Sequence, residues 1–183
     1  MILYQFIHYR IIMLKKNERV ILKLQENLPV GTVDVHIAFT GILNDYMQGF
    51  YRSKYFVDGE ERYMATTQFE STDARLAFPC WDEPALKATF RVFLTAPLGF
   101  NAISNMPVVK KDTKVVNGKK VCVFEFAETP IMSTYLLAFV IGEFDCITGY
   151  TKEGVCVNWF ELIIIYYFLV ILLLVRQTGV ILL

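Results

Sequence analysis

The chain has little that could bind a metal or drive a reaction on its own. Only two histidines occur in 183 residues, His8 and His36. Neither stands in an H-E-x-x-H segment, the helix motif that puts two imidazoles on one face for zinc with a glutamate as base. There is no G-x-S-x-G elbow to raise a nucleophilic serine, and no glycine pattern of a phosphate or dinucleotide loop. The four cysteines, Cys80, Cys122, Cys146 and Cys156, are well separated and form no C-x-x-C pair. They read as mostly buried free thiols in a reducing compartment rather than as a disulfide framework or structural zinc site. Charge is also balanced, with 18 Lys plus Arg against 18 Asp plus Glu. That removes the basic excess expected of a nucleic-acid binder.

Apolar residues are plentiful. They make up 55% of the chain, above the roughly 45–50% of ordinary soluble domains. The surplus lies at the two ends. Residues 1–16 are an irregular apolar N-terminus in which Arg10 interrupts the run and Lys15 and Lys16 come last. Their order is the reverse of a secretory signal, which places its charge first. The tail, residues 158–183, contains an unbroken apolar run from Leu162 to Val175. As a helix this run would rise roughly 21 Å, short of the ~30 Å hydrocarbon core. Extending it over 160–182 gives enough length, with Arg176 reaching toward an interface. Two readings stand for this tail: a hydrophobic transmembrane helix, or an end foreign to the domain before it.

Between the ends, residues 17–157 alternate as half-buried strands do. Val20–Leu24 and Thr32–Phe39 switch between apolar and polar positions, and Arg91–Thr95 and Tyr135–Ile141 add further strands. Asp58-Gly59 and Asn117-Gly118 each separate two such runs, a hairpin signal because glycine tolerates positive φ. Asp82-Glu-Pro-Ala-Leu-Lys-Ala88 reads as the one short helix, capped by Asp82 with Pro84 in its first turn.

Gln68 and Glu70 are two apart in a strand-like segment, so both side chains belong to one face. A carboxylate beside an amide oxygen suits a primary ammonium, which brings three donors and a full charge. Taken bare, a surface strand is the better explanation of these residues. Asp73, Arg75, Asp82 and Glu83 gather charge around Phe78-Pro-Cys-Trp81. Acid–base catalysis by such a cluster is one reading. The favoured one is structural, with Arg75 bridging a turn carboxylate, Asp82 capping the helix and Trp81 packed beneath it. His36, in Asp34-Val-His-Ile, reads as a strand-surface residue.

The block Thr67-Gln-Phe-Glu-Ser-Thr-Asp-Ala-Arg-Leu-Ala-Phe-Pro-Cys-Trp-Asp-Glu-Pro-Ala-Leu-Lys-Ala-Thr-Phe90 closely resembles a segment of the zinc metallo-aminopeptidases of the puromycin-sensitive and aminopeptidase N type. Met132-Ser-Thr-Tyr-Leu-Leu-Ala-Phe-Val-Ile-Gly-Glu-Phe-Asp145 resembles the same family further along, as do Leu43–Tyr55 and Gly154–Val157. The resemblance covers about residues 17–157. It implies an incomplete aminopeptidase N-like N-terminal β domain of twisted antiparallel sheets. It also implies that Gln68 and Glu70 line the pocket for a substrate's first residue, with Glu70 on the free α-amine. Zinc belongs to the complete enzymes of that family, which release N-terminal amino acids from peptides. Their zinc motif, second glutamate ligand, G-A-M-E-N loop and catalytic tyrosine have no counterpart here. The chain therefore reads as a fragment that binds no cofactor, has no catalytic residue, and recognises peptide N-termini without cleaving them. The resemblance implies a cytoplasmic location for the globular part. The alternative is a non-catalytic, membrane-anchored peptide-binding or regulatory protein held by 160–182.

Overall fold

Alternating side chains and tight two-residue turns make the regular structure of the described residues mostly antiparallel β. The computed structural model describes residues 9–24, 30–32, 34–162, 171–176 and 179–181. It divides into two units, Met1–Gly41 and Ile42–Leu183.

In the first unit, β1 (Tyr9–Leu14) pairs antiparallel with β2 (Arg19–Leu24), from Tyr9↔Leu24 to Leu14↔Arg19. A 3-10 turn at Lys15–Asn17 joins them. The strand expected over Thr32–Phe39 does not form among its described residues, and Val35, Ile37 and Phe39 are exposed. Alternation shows which face a strand would bury, but its backbone N–H and C=O groups still need a neighbouring edge. His36 is exposed on this irregular stretch.

The second unit opens with a hairpin. β3 (Gly49–Val57) and β4 (Glu60–Gln68) pair from Gly49↔Gln68 to Val57↔Glu60. Asp58 and Gly59 make the turn, with φ of 51° and 81°, the left-handed pair that a two-residue hairpin requires. β5 (Phe93–Pro97), β6 (Asn101–Ser104), β7 (Val108–Val116) and β8 (Lys119–Phe126) follow. Asn117 and Gly118 close the β7–β8 hairpin at φ of 50° and 76°. β9 (Phe139–Gly142) and β10 (Phe144–Tyr150) come after a 3-10 turn at Thr134–Leu136. β11 (Cys156–Leu162), β12 (Ile171–Arg176) and β13 (Gly179–Ile181) complete the described strands.

These strands form three sheets, in the orders β3-β4-β9-β6, β5-β8-β7 and β10-β11-β12-β13. Two buried clusters sit among them. One gathers Leu94, Ala96, Ala102, Cys122, Phe124 and Phe126; the other gathers Phe69, Ala74, Met132 and Leu137. Phe139 packs against both. A half-buried cluster ties the first hairpin to the bend after β9. There the Glu143 Oε2 accepts from Arg62 Nη1 at 2.6 Å and from Tyr55 Oη at 3.3 Å.

Two helical expectations are corrected. Residues 82–88 form a turn, closed by Leu86 N–H to Glu83 C=O at 2.9 Å, and not a helix. An acidic residue followed by Glu-Pro starts a turn as readily as a helix, and nothing beyond Lys87 continues the helical period. The described part of the tail is strand, not a hydrophobic C-terminal helix. β11 and β12 pair from Cys156↔Val175 to Phe160↔Ile171, and β12 pairs with β13. Residues 163–170 lie outside the described residues. A run that is apolar at every position has no period, so it cannot separate a helix from a buried strand. Its Ile, Val and aromatic residues favour the strand. Among the described residues, no helix is long and apolar enough to cross a membrane.

Candidate substrate-amine site

The end of β4 and the turn after it carry the candidate residues. The strand's last residue, Gln68, is exposed, Phe69 is only 2% exposed, and Glu70 is exposed again. Gln68 ends the strand and Glu70 stands in the turn that follows, so both flank the buried Phe69 with exposed side chains. Phe69 is held by edge-to-face contacts with Phe78 at 5.9 Å and Phe139 at 5.8 Å between ring centroids. Such contacts add to the area term that buries the rings.

After Glu70 the chain folds back at once. Asp73 N–H donates to Phe69 C=O at 2.9 Å, and a 3-10 turn follows at Ala74–Leu76 with Ala74 fully buried. Gly49, paired with Gln68, meets this turn where no side chain fits. A Cβ there would lie 2.8 Å from the Leu76 Cβ, and its φ is 67°.

Within the charge cluster, Arg75 and Asp82 form a buried ion pair. Asp82 is 4% exposed, and its Oδ2 accepts from Arg75 N at 3.1 Å and Arg75 Nε at 2.9 Å. This closes the loop from 75 to 82, because a buried carboxylate needs a countercharge and donors. The bridging role expected of Arg75 is therefore observed. Asp82, however, caps no helix. Trp81 is 71% exposed instead of packed beneath one. Glu83 is exposed and Asp73 half-buried.

The second sequence block is stitched onto the first. Ala88 and Met132 exchange two backbone hydrogen bonds at 3.0 Å. Ser133 Oγ donates to Pro84 C=O and Thr134 Oγ1 to Trp81 C=O, both at 2.7 Å. Phe139 N–H donates to Thr67 Oγ1 at 3.1 Å, one residue before Gln68. A shallow groove of about 410 Å³ runs beside Phe78, Cys80, Trp81, Leu86 and Phe90, and neither Gln68 nor Glu70 lines it. Cys80 is half-buried there, and burial, reinforced by the Asp82 charge, pushes its thiol up to about 11. The raised value favours the protonated thiol near neutral pH. All four cysteines are free, with Cys122 buried, Cys80 and Cys156 half-buried and Cys146 exposed. Among the described residues, no three His, Cys, Asp or Glu side chains converge as ligands for a zinc ion.

Comparison with known proteins now gives this arrangement a family. Residues 5–136 match the Peptidase M1 N-terminal domain. Aminopeptidase M1-B of Oryza sativa subsp. japonica is 49% identical over 148 residues, 81% of this chain and 16% of the relative. Aminopeptidase M1 of Arabidopsis thaliana is 45% identical over 149 residues, 81% of this chain and 16% of the relative. Puromycin-sensitive aminopeptidase of Caenorhabditis elegans is 47% identical over 135 residues, 73% of this chain and 14% of the relative. The chain belongs to the peptidase M1 family through its N-terminal domain. It spans about 16% of the length of the plant relatives it matches.

The contact between Phe139 and Thr67 beside the candidate residues escaped sequence reasoning. It crosses 72 positions, and only the co-occurrence of the two family-like blocks hinted that they meet.

Proposed function

We propose that Gln68 and Glu70 form part of the subsite that holds the free α-amino group of a peptide in an M1 aminopeptidase, and that this chain recognises peptide N-termini without cleaving them. The observation that carries this reading is the pair of exposed polar side chains on either side of buried Phe69, within the family-matched segment. Glu70 supplies the negative charge and Gln68 a neutral oxygen, so an ammonium finds two acceptors on one side. Bond cleavage falls to the zinc-bearing part of the complete family enzymes, which also supplies the metal. The globular part is cytoplasmic in this reading. The membrane-anchored alternative loses its main support, since the described tail residues are strand.

The test is a full-length aminopeptidase of the family carrying this chain's segment in place of its own. Glu70→Ala removes a charge-assisted contact of about 1.5–3 kcal/mol, so kcat/KM falls about ten- to a hundredfold. Gln68→Ala removes a neutral contact of about 0.5–1.5 kcal/mol and does less. Equal kcat/KM for Glu70→Ala and its parent contradicts the reading.

A further inference from the structure

We propose that Phe139 is the positioning residue of the amine site, fixing the direction in which Glu70 faces beside the ladder-paired Gln68. The proposal rests on the amine-recognition reading above. Backbone pairing runs out just where the site begins. β4 pairs with β9 only at Ala65↔Ile141 and Thr66↔Val140, and with β3 only as far as Gly49↔Gln68. Phe69 and Glu70 therefore have no ladder partner, and other contacts must set their orientation.

Three of those contacts meet at one residue. The Phe139 backbone N–H donates to Thr67 Oγ1 at 3.1 Å. The Phe139 ring meets the Phe69 ring edge-on at 5.8 Å and 73°. The same ring meets Phe50 at 5.0 Å and 62°, and Phe50 lies opposite Thr67 in the β3–β4 register. Phe139 thus grips the residue before Gln68, the residue before Glu70, and the strand behind both. Phe78 touches Phe69 as well, but its own tie is to Ala74 C=O, on the far side of the turn. A carboxylate on an unpaired stretch loses orientational freedom when it binds an ammonium. Phe139 removes that freedom beforehand.

The test uses the full 183-residue chain with leucinamide and N-acetyl-leucinamide as probes, followed through the NMR shift of the Glu70 side chain. The unaltered chain binds the free amine in preference to the blocked one. Phe139→Leu, which keeps an apolar core but loses the ring edge, lowers that preference about three- to tenfold. Phe139→Tyr keeps the ring and N–H and restores it. Thr67→Val removes only the Oγ1 acceptor and lowers the preference less, which keeps the proposal testable if Phe139→Leu fails to fold. Phe126→Leu, in the other core cluster, lowers thermal stability and leaves the preference intact. The proposal is overturned if folded Phe139→Leu keeps the parent preference, if Thr67→Val keeps it where Phe139→Leu does not fold, or if Phe126→Leu loses as much. If the unaltered chain shows no preference for the free amine, the amine-recognition reading itself falls, and this inference with it.

Discussion

Replacing Arg75 by alanine isolates what holds the loop behind the site. Asp82 has a side chain only 3% exposed, and Arg75, itself 27% exposed, gives its Oδ2 both a charge and a donor at 2.9 Å. The backbone N–H of residue 75 survives in Arg75→Ala, so Asp82 keeps one hydrogen bond while losing its counterion. Removing one partner of a fully buried pair costs about 3–5 kcal/mol. Partial solvent access to Arg75 and the surviving N–H lower this to about 2–4 kcal/mol. In a chain of this size that is a fall in melting temperature of very roughly 4–16 °C, at about 2–4 °C per kcal/mol. Urea unfolding followed by tryptophan fluorescence reads the same change as a lower midpoint at unchanged slope. Asp82→Asn keeps both acceptor contacts and removes the charge, and so costs less. A loss below about 0.5 kcal/mol for Arg75→Ala would place the pair among weak surface ion pairs and refute the loop-closure argument.

Other consequences follow from single features. Gly142→Ala puts a Cβ 2.7 Å from the Phe144 ring and 3.0 Å from the Met64 Cβ, an overpacking that costs about 1–3 kcal/mol in chemical unfolding; an unchanged midpoint contradicts it. Because burial holds the Cys80 thiol near 11, its thiolate fraction stays small at pH 8 and grows as pH approaches that value. Mass-spectrometric alkylation at pH 8 should therefore label exposed Cys146 well before Cys80, and equal rates would be contrary. The purified chain supplied with zinc should release no aminoacyl-naphthylamide product above background, since it contains no H-E-x-x-H. Chelator-sensitive turnover co-purifying with the chain would overturn that expectation.

Local chemistry was legible in the sequence, and long-range partnership was not. Asp58-Gly59 and Asn117-Gly118 announce their hairpins because few residues tolerate two successive positive φ values. The exposure of Gln68 and Glu70 on either side of buried Phe69 fits the alternation read there, although the strand itself ends at Gln68. Thr32–Phe39 shows the limit, since its alternation is as good as that of β4 but no edge receives its described residues. Asp82 shows another. Its signature suits a helix cap or a turn, and the deciding fact, an Arg75 guanidinium seven residues back, is a matter of three-dimensional closure. The tail misled because a wholly apolar run encodes burial and no period. Phe139 was hidden for a related reason. Its importance lies in joining two clusters and the end of β4, and nothing around Phe139 in the sequence states that.

The most direct measurement is a double cycle between Glu70 and the substrate amine. In a full-length family aminopeptidase carrying this segment, kcat/KM is determined for a free and an N-acetylated peptide substrate, with Glu70 and with Glu70→Ala. If Glu70 reads the ammonium, the preference for the free substrate shrinks by about tenfold or more in the variant, a coupling of at least about 1.4 kcal/mol. If both substrates lose activity in equal proportion, Glu70 does not recognise the amine, and the function assigned to this face is wrong.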